Sequence, residues 1–153
     1  MHPVPTRDEY FDRWSMLHGG YDPRSSRLTG GWLTFAYAVA RPLAGLRVSP
    51  DLLTMFGLLV AGLVVVFAAL GGRWVLLSAL VVVISALLDN LDGAVAVMTD
   101  RVTKWGYVLD SVVDRLCDAL FLVALWVVGA PAWMAVVGGT IMGVHEYARA
   151  RAG

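Results

Sequence analysis

The chain has 153 residues, of which 58% are hydrophobic and 16% charged, and its mean hydropathy is +0.68. Soluble domains carry about a quarter charged residues, so this composition argues against an ordinary soluble domain and favours an integral membrane protein. The formal net charge of zero says little about partners, and no nucleic-acid partner is expected. A single cysteine, Cys117, excludes a disulfide framework and a cysteine-ligated metal site.

The first 48 residues are predicted to lie outside the membrane core. Residues 1–29 are polar, carry no secretory signal, and suit a short amphipathic helix followed by a turn in the cytoplasm. Residues 30–48 are apolar but are interrupted by Arg41-Pro42, and an uninterrupted run of about ten residues is too short to span a bilayer. We therefore expect an interfacial helix, although a span with Arg41 near its end is an alternative. Its expected contacts with the interface are Trp32, Tyr37, Arg41 and Arg47.

Residues 49–153 are predicted to form an all-α membrane domain with four transmembrane helices. The sequence SPD at 49–51 can begin the first span, because serine caps helices, proline suits the first turn and aspartate complements the helix dipole. The turns GGR at 71–73 and GAP at 129–131 separate further apolar segments. The predicted spans are residues 52–70, 74–98, 105–128 and 131–148.

The distribution of lysine and arginine predicts a multi-pass protein of the cell membrane with a cytoplasmic N-terminus. With four spans, the outer side receives Arg73 alone, and Arg115 lies within a span. A fifth span at residues 30–48 would spoil this positive-inside bias. The cytoplasmic side receives Arg7, Arg13, Arg24, Arg27, Arg41, Arg47, Arg101, Lys104, Arg149 and Arg151.

Acidic side chains are concentrated in the apolar stretch from residue 87 to residue 120. An ionised side chain at the bilayer centre costs about 2.5–3.5 kcal/mol, so these residues need partners or a water-filled cavity. Their number and spacing therefore indicate function. They are Asp89, Asp92, Asp100, Asp110, Asp114 and Asp118.

The aspartates are predicted to meet across a helical hairpin. Asp89 and Asp92 share one face of the second span, and Asp110 and Asp114 share one face of the third. At 1.5 Å per residue, Asp92 and Asp110 each lie about 8–9 Å from the intervening loop, and Asp89 and Asp114 about 14 Å. These four carboxylates therefore match in depth, while Asp118 lies deeper and is expected to play a supporting role.

Four facing carboxylates predict a metal site. They would repel one another and take up protons unless a cation lay between them. Because no histidine or cysteine ligand is nearby, the expected ion is a hard divalent cation, Mg²⁺ or Mn²⁺ ahead of Ca²⁺. Four carboxylates are more than one Mg²⁺ usually takes, which favours two ions. A polar cluster satisfied by Arg115, Asn90 and water would explain neither the matched depths nor the acidic excess.

The spacing of these residues resembles the signature of the CDP-alcohol phosphatidyltransferases. The pattern reads Asp89-x-x-Asp92-Gly93-x-x-Ala96, then Gly106-x-x-x-Asp110-x-x-x-Asp114. The resemblance extends to SPDLLTMFG at 49–57 and covers most of residues 30–151. It implies a reaction in which a CDP-linked lipid, usually CDP-diacylglycerol, gives its phosphatidyl group to an alcohol and releases CMP.

The resemblance also implies roles for individual residues. The four aspartates would hold one or two divalent ions on the pyrophosphate, and Asp114 would be the general base on the acceptor hydroxyl. The CDP site would be formed by Thr54, Gly93, Ala96 and Gly106. Family members often form homodimers, which is expected here as well.

Two features depart from the family pattern. The family usually has arginine after the alanine of the signature, where this chain has Val97, and Arg101 is the expected substitute. The family also usually has six membrane helices, whereas four are predicted here. The chain is therefore expected to be a fragment, to be completed by a partner chain, or to be inactive alone.

The acceptor is expected to be a polyol phosphate. The segments DSVVDRLCDALF (110–121) and EYARARAG (146–153) are similar to the actinobacterial phosphatidylinositol-phosphate synthases, which implies inositol phosphate as the acceptor. Arginine binds phosphate well because its planar guanidinium donates paired hydrogen bonds. The candidate phosphate ligands are Lys104, Arg115, Arg149, Arg151 and, behind them, Arg101.

Three other functions remain open from the sequence. Glycerol phosphate could be the acceptor in place of inositol phosphate. A divalent-cation transporter also needs membrane carboxylates, but it does not need Gly93, Ala96 and Gly106 at fixed offsets. A non-catalytic fragment or partner subunit would bind CDP without releasing CMP.

Overall fold

The computed structural model describes residues 4–152, and these residues form six α-helices and one short 3-10 helix, without a strand. The prediction of an all-α fold is confirmed. The 3-10 helix comprises Pro23–Ser25. The α-helices are α1 Arg7–Leu17, α2 Arg27–Gly45, α3 Pro50–Leu70, α4 Trp74–Thr99, α5 Lys104–Val127 and α6 Ala132–Ala152.

Two of the described helices, α3 and α4, are long and apolar enough to cross a membrane, by the measure of length and composition. The ends of α5 and α6 agree with the predicted third and fourth spans to within a few residues. α5 includes Lys104, Asp110, Asp114, Arg115 and Asp118, so its composition is less apolar than that of α3 and α4. That α5 and α6 cross the membrane stays a prediction.

α1 begins with a reciprocal cap. The backbone N–H of Glu9 donates to the hydroxyl of Thr6 at 3.3 Å, and the backbone N–H of Thr6 donates to the Glu9 carboxylate at 2.6 Å. These hydrogen bonds to Thr6 lower the pKa of Glu9 below its usual value. The cap satisfies backbone donors that a helix start otherwise leaves unpaired.

α2 differs from the helix predicted at residues 30–48. It begins at Arg27, because the hydroxyl of Ser26 accepts the backbone N–H of Thr29 at 3.4 Å. The prediction of a single helix across Arg41-Pro42 is confirmed, since α2 continues through Pro42 to Gly45. A proline in the last turn of a helix removes only one hydrogen bond, so the apolar run is interrupted there while the helix is not.

The two faces of α2 bear on its predicted place in the interface. The packed face carries small side chains, and the opposite face exposes large apolar ones. Such an exposed stripe supports an interfacial location, which stays a prediction. Tyr37, expected as an anchor, instead donates its hydroxyl to the carbonyl oxygen of Pro5 at 3.1 Å. The exposed stripe comprises Leu28, Trp32, Phe35 and Val39.

Residues 4–56 and 87–110 form one compact unit, here called unit 1. Its core joins α1, α2, the first turns of α3 and the last turns of α4. Tyr10 lies at the centre, and its burial raises its pKa to about 12. Arg24 stabilises this arrangement, because its guanidinium lies 3.0 Å from the Asp12 carboxylate and 5.2 Å from the centre of the Phe11 ring.

Residues 57–86 and 111–152 form a second compact unit, here called unit 2. Its core contains Val64, Ala68, Val81 and Ala124. Buried serines satisfy their hydroxyls on backbone carbonyls, as Ser78 does by donating to Val64 at 2.9 Å. A close approach of α5 and α6 involves Gly138 and Gly139, where an added Cβ would lie 3.1 and 3.3 Å from Leu122.

Two adjacent glycines of α2 provide a matched test of packing in unit 1. A Cβ at Gly30 would lie 3.1 Å from the backbone carbonyl oxygen of Pro23, whereas a Cβ at Gly31 would meet no atom within 4 Å. We expect Gly31→Ala to raise stability by about 0.5–1 kcal/mol through helix propensity. Gly30→Ala should instead lose about 1–3 kcal/mol through overpacking. Thermal unfolding in detergent checks the order, and equal melting temperatures would contradict the close contact at Gly30.

Candidate active site

Two aspartates of unit 1, on different helices, lie close together. Carboxylate oxygens of Asp89, on α4, and Asp110, on α5, lie within 4.8 Å of each other. The spacing of four residues along α5 places Asp114 one turn beyond Asp110 on the same face. The carboxylates of this group are half-buried at Asp110 and Asp114 and exposed at Asp89. The predicted approach of the two aspartate pairs across the hairpin is thus seen for Asp89 and Asp110.

This group fits a hard divalent cation. Oxygen ligands bind Mg²⁺ at about 2.1 Å and Ca²⁺ at up to about 2.6 Å, so two ligands of one ion lie at most about 4–5 Å apart. The carboxylate oxygens meet that limit. All the donors are carboxylate oxygens, which suit Mg²⁺, Mn²⁺ or Ca²⁺ better than softer metals.

Asp92 differs from the predicted arrangement. Its side chain is buried, with 5% of its surface exposed, and its carboxylate accepts a hydrogen bond from the hydroxyl of Thr54 on α3. It does not belong to the group formed by the other aspartates within residues 4–152. A separation of three residues rotates the side chain by about 60° from Asp89, which is enough to turn it toward α3. Metal ligation by Asp92 stays a prediction.

Thr54 therefore links α3 to the acidic part of α4. Its hydroxyl also lies 3.1 Å from the carbonyl oxygen of Pro50, one turn earlier in α3. The sequence predicted Thr54 as part of a CDP site, and the structure brings it into direct contact with Asp92. A hydrogen bond to a carboxylate favours its ionised form and fixes its orientation.

The bond between Thr54 and Asp92 can be tested with two conservative variants. Thr54→Val removes the hydroxyl from a buried carboxylate and should lower the free energy of unfolding by about 1–3 kcal/mol. Thr54→Ser keeps the hydroxyl and should lose clearly less. Chemical or thermal unfolding in detergent measures the difference. Valine keeps the methyl group of threonine, and serine keeps the hydroxyl. Equal losses in the two variants would therefore mean that the hydroxyl contributes no more to stability than the methyl group does.

The small residues of the predicted CDP site have different surroundings. Gly93 faces open space, because an added Cβ would meet no atom within 4 Å, and Ala96 is half-buried. At Gly106, a Cβ would lie 3.1 Å from the hydroxyl of Thr103 and 3.6 Å from the Asp51 carboxylate. Gly106 thus permits the first turn of α5 to approach the start of α3, and the open space at Gly93 leaves room for a ligand.

The cations predicted to bind the acceptor phosphate belong to both units of the chain. In unit 2, Arg115 lies 3.0 Å from Asp118, Arg149 lies 2.9 Å from Glu146, and Arg151 donates to the hydroxyl of Tyr147 at 3.2 Å. Each of these arginines has a partner on its own helix. In unit 1, Lys104 is exposed at the start of α5, and Arg101 lines a cavity with residues from other elements. The role of these five residues stays a prediction.

Arg13 is a residue that sequence reasoning did not single out. From α1 its guanidinium donates to the carbonyl oxygens of Val97 and Met98, at 3.4 and 3.3 Å, at the end of α4. Val97 is the buried residue at the position where arginine was expected. Arg13 therefore brings a cation to the neighbourhood of that position from another helix. No local pattern could have indicated a contact across 84 residues.

Comparison with known proteins identifies relatives of this chain. The family model described as CDP-alcohol phosphatidyltransferase matches residues 47–149. An archaetidylinositol phosphate synthase of Pyrococcus horikoshii is 35% identical over 116 residues, covering 74% of this chain and 60% of the relative. A phosphatidylinositol phosphate synthase of Cutibacterium acnes is 33% identical over 101 residues, covering 65% of this chain and 48% of the relative.

These matches lie in the region that contains the candidate site. The chain spans 60% of the length of the Pyrococcus horikoshii protein and 48% of that of the Cutibacterium acnes protein. No solved structure gives a significant match. The matched range of residues 47–149 includes every aspartate of the acidic group and both helices that carry it.

Proposed function

Because the chain belongs to the CDP-alcohol phosphatidyltransferase family, we propose that it transfers a phosphatidyl group from CDP-diacylglycerol to inositol phosphate and releases CMP. The observation that carries this proposal is the approach of the Asp89 and Asp110 carboxylates to within 4.8 Å of each other, inside the range that the family model matches. Asp114 follows Asp110 one turn later on α5. A structural polar cluster would not require the glycines and the alanine of the signature at fixed offsets from these aspartates.

The acidic group is suited to phosphoryl transfer. A divalent ion held by Asp89, Asp110 and Asp114, with Asp92 as a further candidate ligand, would neutralise charge on the pyrophosphate and on the departing CMP. The acceptor hydroxyl attacks the lipid-side phosphorus, and the bond from that phosphorus to the bridging oxygen breaks. Asp114 takes the proton of the hydroxyl, and CMP leaves with the electron pair of the broken bond. Gly93, Ala96, Gly106 and Thr54 would bound the CDP site.

Inositol phosphate is the proposed acceptor for two reasons. The relatives from Pyrococcus horikoshii and Cutibacterium acnes are named inositol phosphate synthases, and the chain offers several cations for an acceptor phosphate. A guanidinium and a phosphate can form two parallel hydrogen bonds. The candidates are Lys104, Arg101, Arg115, Arg149 and Arg151.

The chain is further proposed to be a multi-pass protein of the cell membrane. Its N-terminus and its active site would face the cytoplasm. The excess of lysine and arginine in the segments assigned to that side supports this orientation. A cytoplasmic site would let a water-soluble acceptor meet a lipid donor at the membrane surface. A homodimer is proposed from membership of the family.

A screen for CMP release tests the function and the acceptor together. The full chain in lipid nanodiscs is given CDP-diacylglycerol with Mn²⁺ or Mg²⁺ and one acceptor: inositol phosphate, glycerol phosphate, inositol or serine. We expect release with inositol phosphate and none when a chelator is present. Release with glycerol phosphate alone would move the assignment to that acceptor. Cation flux across the membrane without CMP release would favour a transporter, and binding of CDP without release from any acceptor would favour a non-catalytic subunit.

A further inference from the structure

Unit 1 contains a polar cavity of about 500 Å³ that is separate from the carboxylate oxygens of Asp89 and Asp110. Three elements form it: α1, the end of α2 with the turn after it, and the end of α4 with its following loop. Its volume lies in the range of about 300–1,000 Å³ that is common for small-molecule sites. The charged residues that line it are Glu9, Arg13, Arg47, Asp100 and Arg101.

Arg47 occupies a backbone conformation that favours glycine. Its φ is 57°, in the left-handed region just after α2 ends. Residues after a helix adopt this conformation often, but a side chain there is less favourable than glycine by about 1 kcal/mol. The backbone therefore gives no reason for arginine at this position. What the side chain adds is a guanidinium at the wall of the cavity.

The positive charge of the cavity is only partly balanced within the protein. The Glu9 carboxylate accepts hydrogen bonds from the backbone and the hydroxyl of Thr6, at 2.6 and 3.0 Å, so it is engaged in capping α1. Neither Arg47 nor Arg101 forms an ion pair with any residue in the described part of the chain. Asp100 is the other acidic residue that lines the cavity.

Arg13 gives the cavity a fixed wall. One of its terminal nitrogens donates to the carbonyl oxygens of Val97 and Met98, which holds the guanidinium at the end of α4. Arginine has five N–H donors in a planar fork, so donors remain for a ligand in the cavity. A small dianion would meet a fixed guanidinium on one side and the exposed side chains of Arg47 and Arg101 on the others.

We propose that this cavity binds a phosphate monoester. Three arginines from three separate elements line one space, and the paired N–H donors of a guanidinium match the oxygens of a phosphate dianion. The phosphate can come from a soluble molecule or from the headgroup of a phosphatidic-acid-type lipid. The cavity uses neither the aspartates nor the CDP residues, and of its three arginines only Arg101 is also a candidate ligand of the acceptor phosphate.

Binding can be measured without CDP-lipid and with a chelator present, so that failure of the transfer reaction does not affect the result. The chain in neutral detergent is titrated with inorganic phosphate, against sodium chloride at the same ionic strength, and thermal unfolding is followed. We expect phosphate to raise the melting temperature of the unchanged chain. Arg47→Gly and Arg101→Gln should weaken phosphate binding by about 10- to 100-fold, because each removes a charge-assisted contact.

Arg47→Gly separates lost binding from lost folding. Glycine suits the left-handed backbone, so the variant should melt no lower than the unchanged chain when phosphate is absent. Arg27→Gln is the matched control, because it removes one exposed cation of unit 1 that does not line the cavity. Phosphate should stabilise this variant as it does the unchanged chain.

A second measurement distinguishes the source of the phosphate. The chain is placed in phosphatidylcholine nanodiscs with and without phosphatidic acid, and its stability is compared for the same variants. Stabilisation by phosphatidic acid that depends on Arg47 and Arg101 would assign the site to a lipid headgroup, and stabilisation by inorganic phosphate alone would assign it to a soluble ligand. The proposal is overturned if neither probe stabilises the chain, or if Arg27→Gln weakens binding as much as the two cavity variants.

Discussion

Replacing Asp114 by asparagine is expected to lower the rate of CMP release by about 10²–10⁴-fold, the range that general acid–base groups contribute. Asparagine has nearly the shape of aspartate but cannot take a proton from the acceptor hydroxyl. Asp114 lies one turn beyond Asp110 on α5, so the substitution also removes one carboxylate of the acidic group. The assay follows CMP from CDP-diacylglycerol with inositol phosphate and saturating Mn²⁺.

Asp118→Asn is the matched control for this experiment. Asp118 lies on the same helix, one turn further, and its carboxylate is 3.0 Å from the guanidinium of Arg115. Asp118→Asn removes one negative charge, as Asp114→Asn does, and leaves every carboxylate of the acidic group in place. We expect it to retain activity within about tenfold, since a partly exposed ion pair stabilises a protein by at most about 1 kcal/mol. Equal losses at the two positions would exclude Asp114 as the base.

The dependence on pH gives a second readout for Asp114. A general base must be deprotonated to act, so the rate of the unchanged chain should fall at acidic pH. The residual activity of Asp114→Asn should lack that acid limb. If the variant kept the limb with a uniformly lower rate, another group would be the base and Asp114 would act only as a ligand or an orienting residue.

The helices could be predicted from the sequence because their signals are local. Uninterrupted apolar runs and the glycine or proline turns between them predicted α3 to α6 to within a few residues at their ends. Arg41-Pro42 interrupts the apolar run but not the helix, because a proline in the final helical turn removes only one hydrogen bond. Hydropathy thus predicted the ends of α3 to α6 to within a few residues. It did not predict that α2 begins at Arg27 and ends at Gly45.

The site could be predicted in part, for the same reason. Helical spacing placed Asp110 and Asp114 on one face, and the hairpin brought Asp89 to Asp110. The contact of Asp92 with Thr54 depends on the rotation of α4 against α3, which no spacing within one helix determines. The same applies to Arg13 at the end of α4, since it depends on how α1 packs.

Near neighbours in the sequence satisfy some charges, and residues far apart in the sequence surround others. Arg115, Arg149 and Arg151, predicted as candidate ligands of the acceptor phosphate, each have a partner three or four residues away on their own helix. Arg47, predicted to face lipid headgroups, lines a cavity with Arg13 and Arg101, and its contact with headgroups stays a prediction. Periodicity shows the face of a helix that a residue occupies, but not the neighbour that the face will meet.

The second large effect is expected for the metal dependence of Asp89 and Asp110. These carboxylates come within 4.8 Å of each other, so they repel when no cation is bound and should bind a divalent ion strongly. In the unchanged chain, Mn²⁺ at 100 times its dissociation constant should add about 2.7 kcal/mol to the free energy of unfolding. The double variant Asp89→Asn and Asp110→Asn should lose that gain and, in the presence of a chelator, should be at least as stable as the unchanged chain.

Two measurements check this prediction independently of activity. Electron paramagnetic resonance of free Mn²⁺ gives the amount bound, and thermal unfolding with Mn²⁺ or chelator gives the stabilisation. Asp100→Asn is the control, because this aspartate lies in the loop between α4 and α5 and outside the acidic group. It should bind Mn²⁺ as the unchanged chain does. If the double variant still bound Mn²⁺ with unchanged affinity, the ion would be held elsewhere, and Asp89 and Asp110 would not be its ligands.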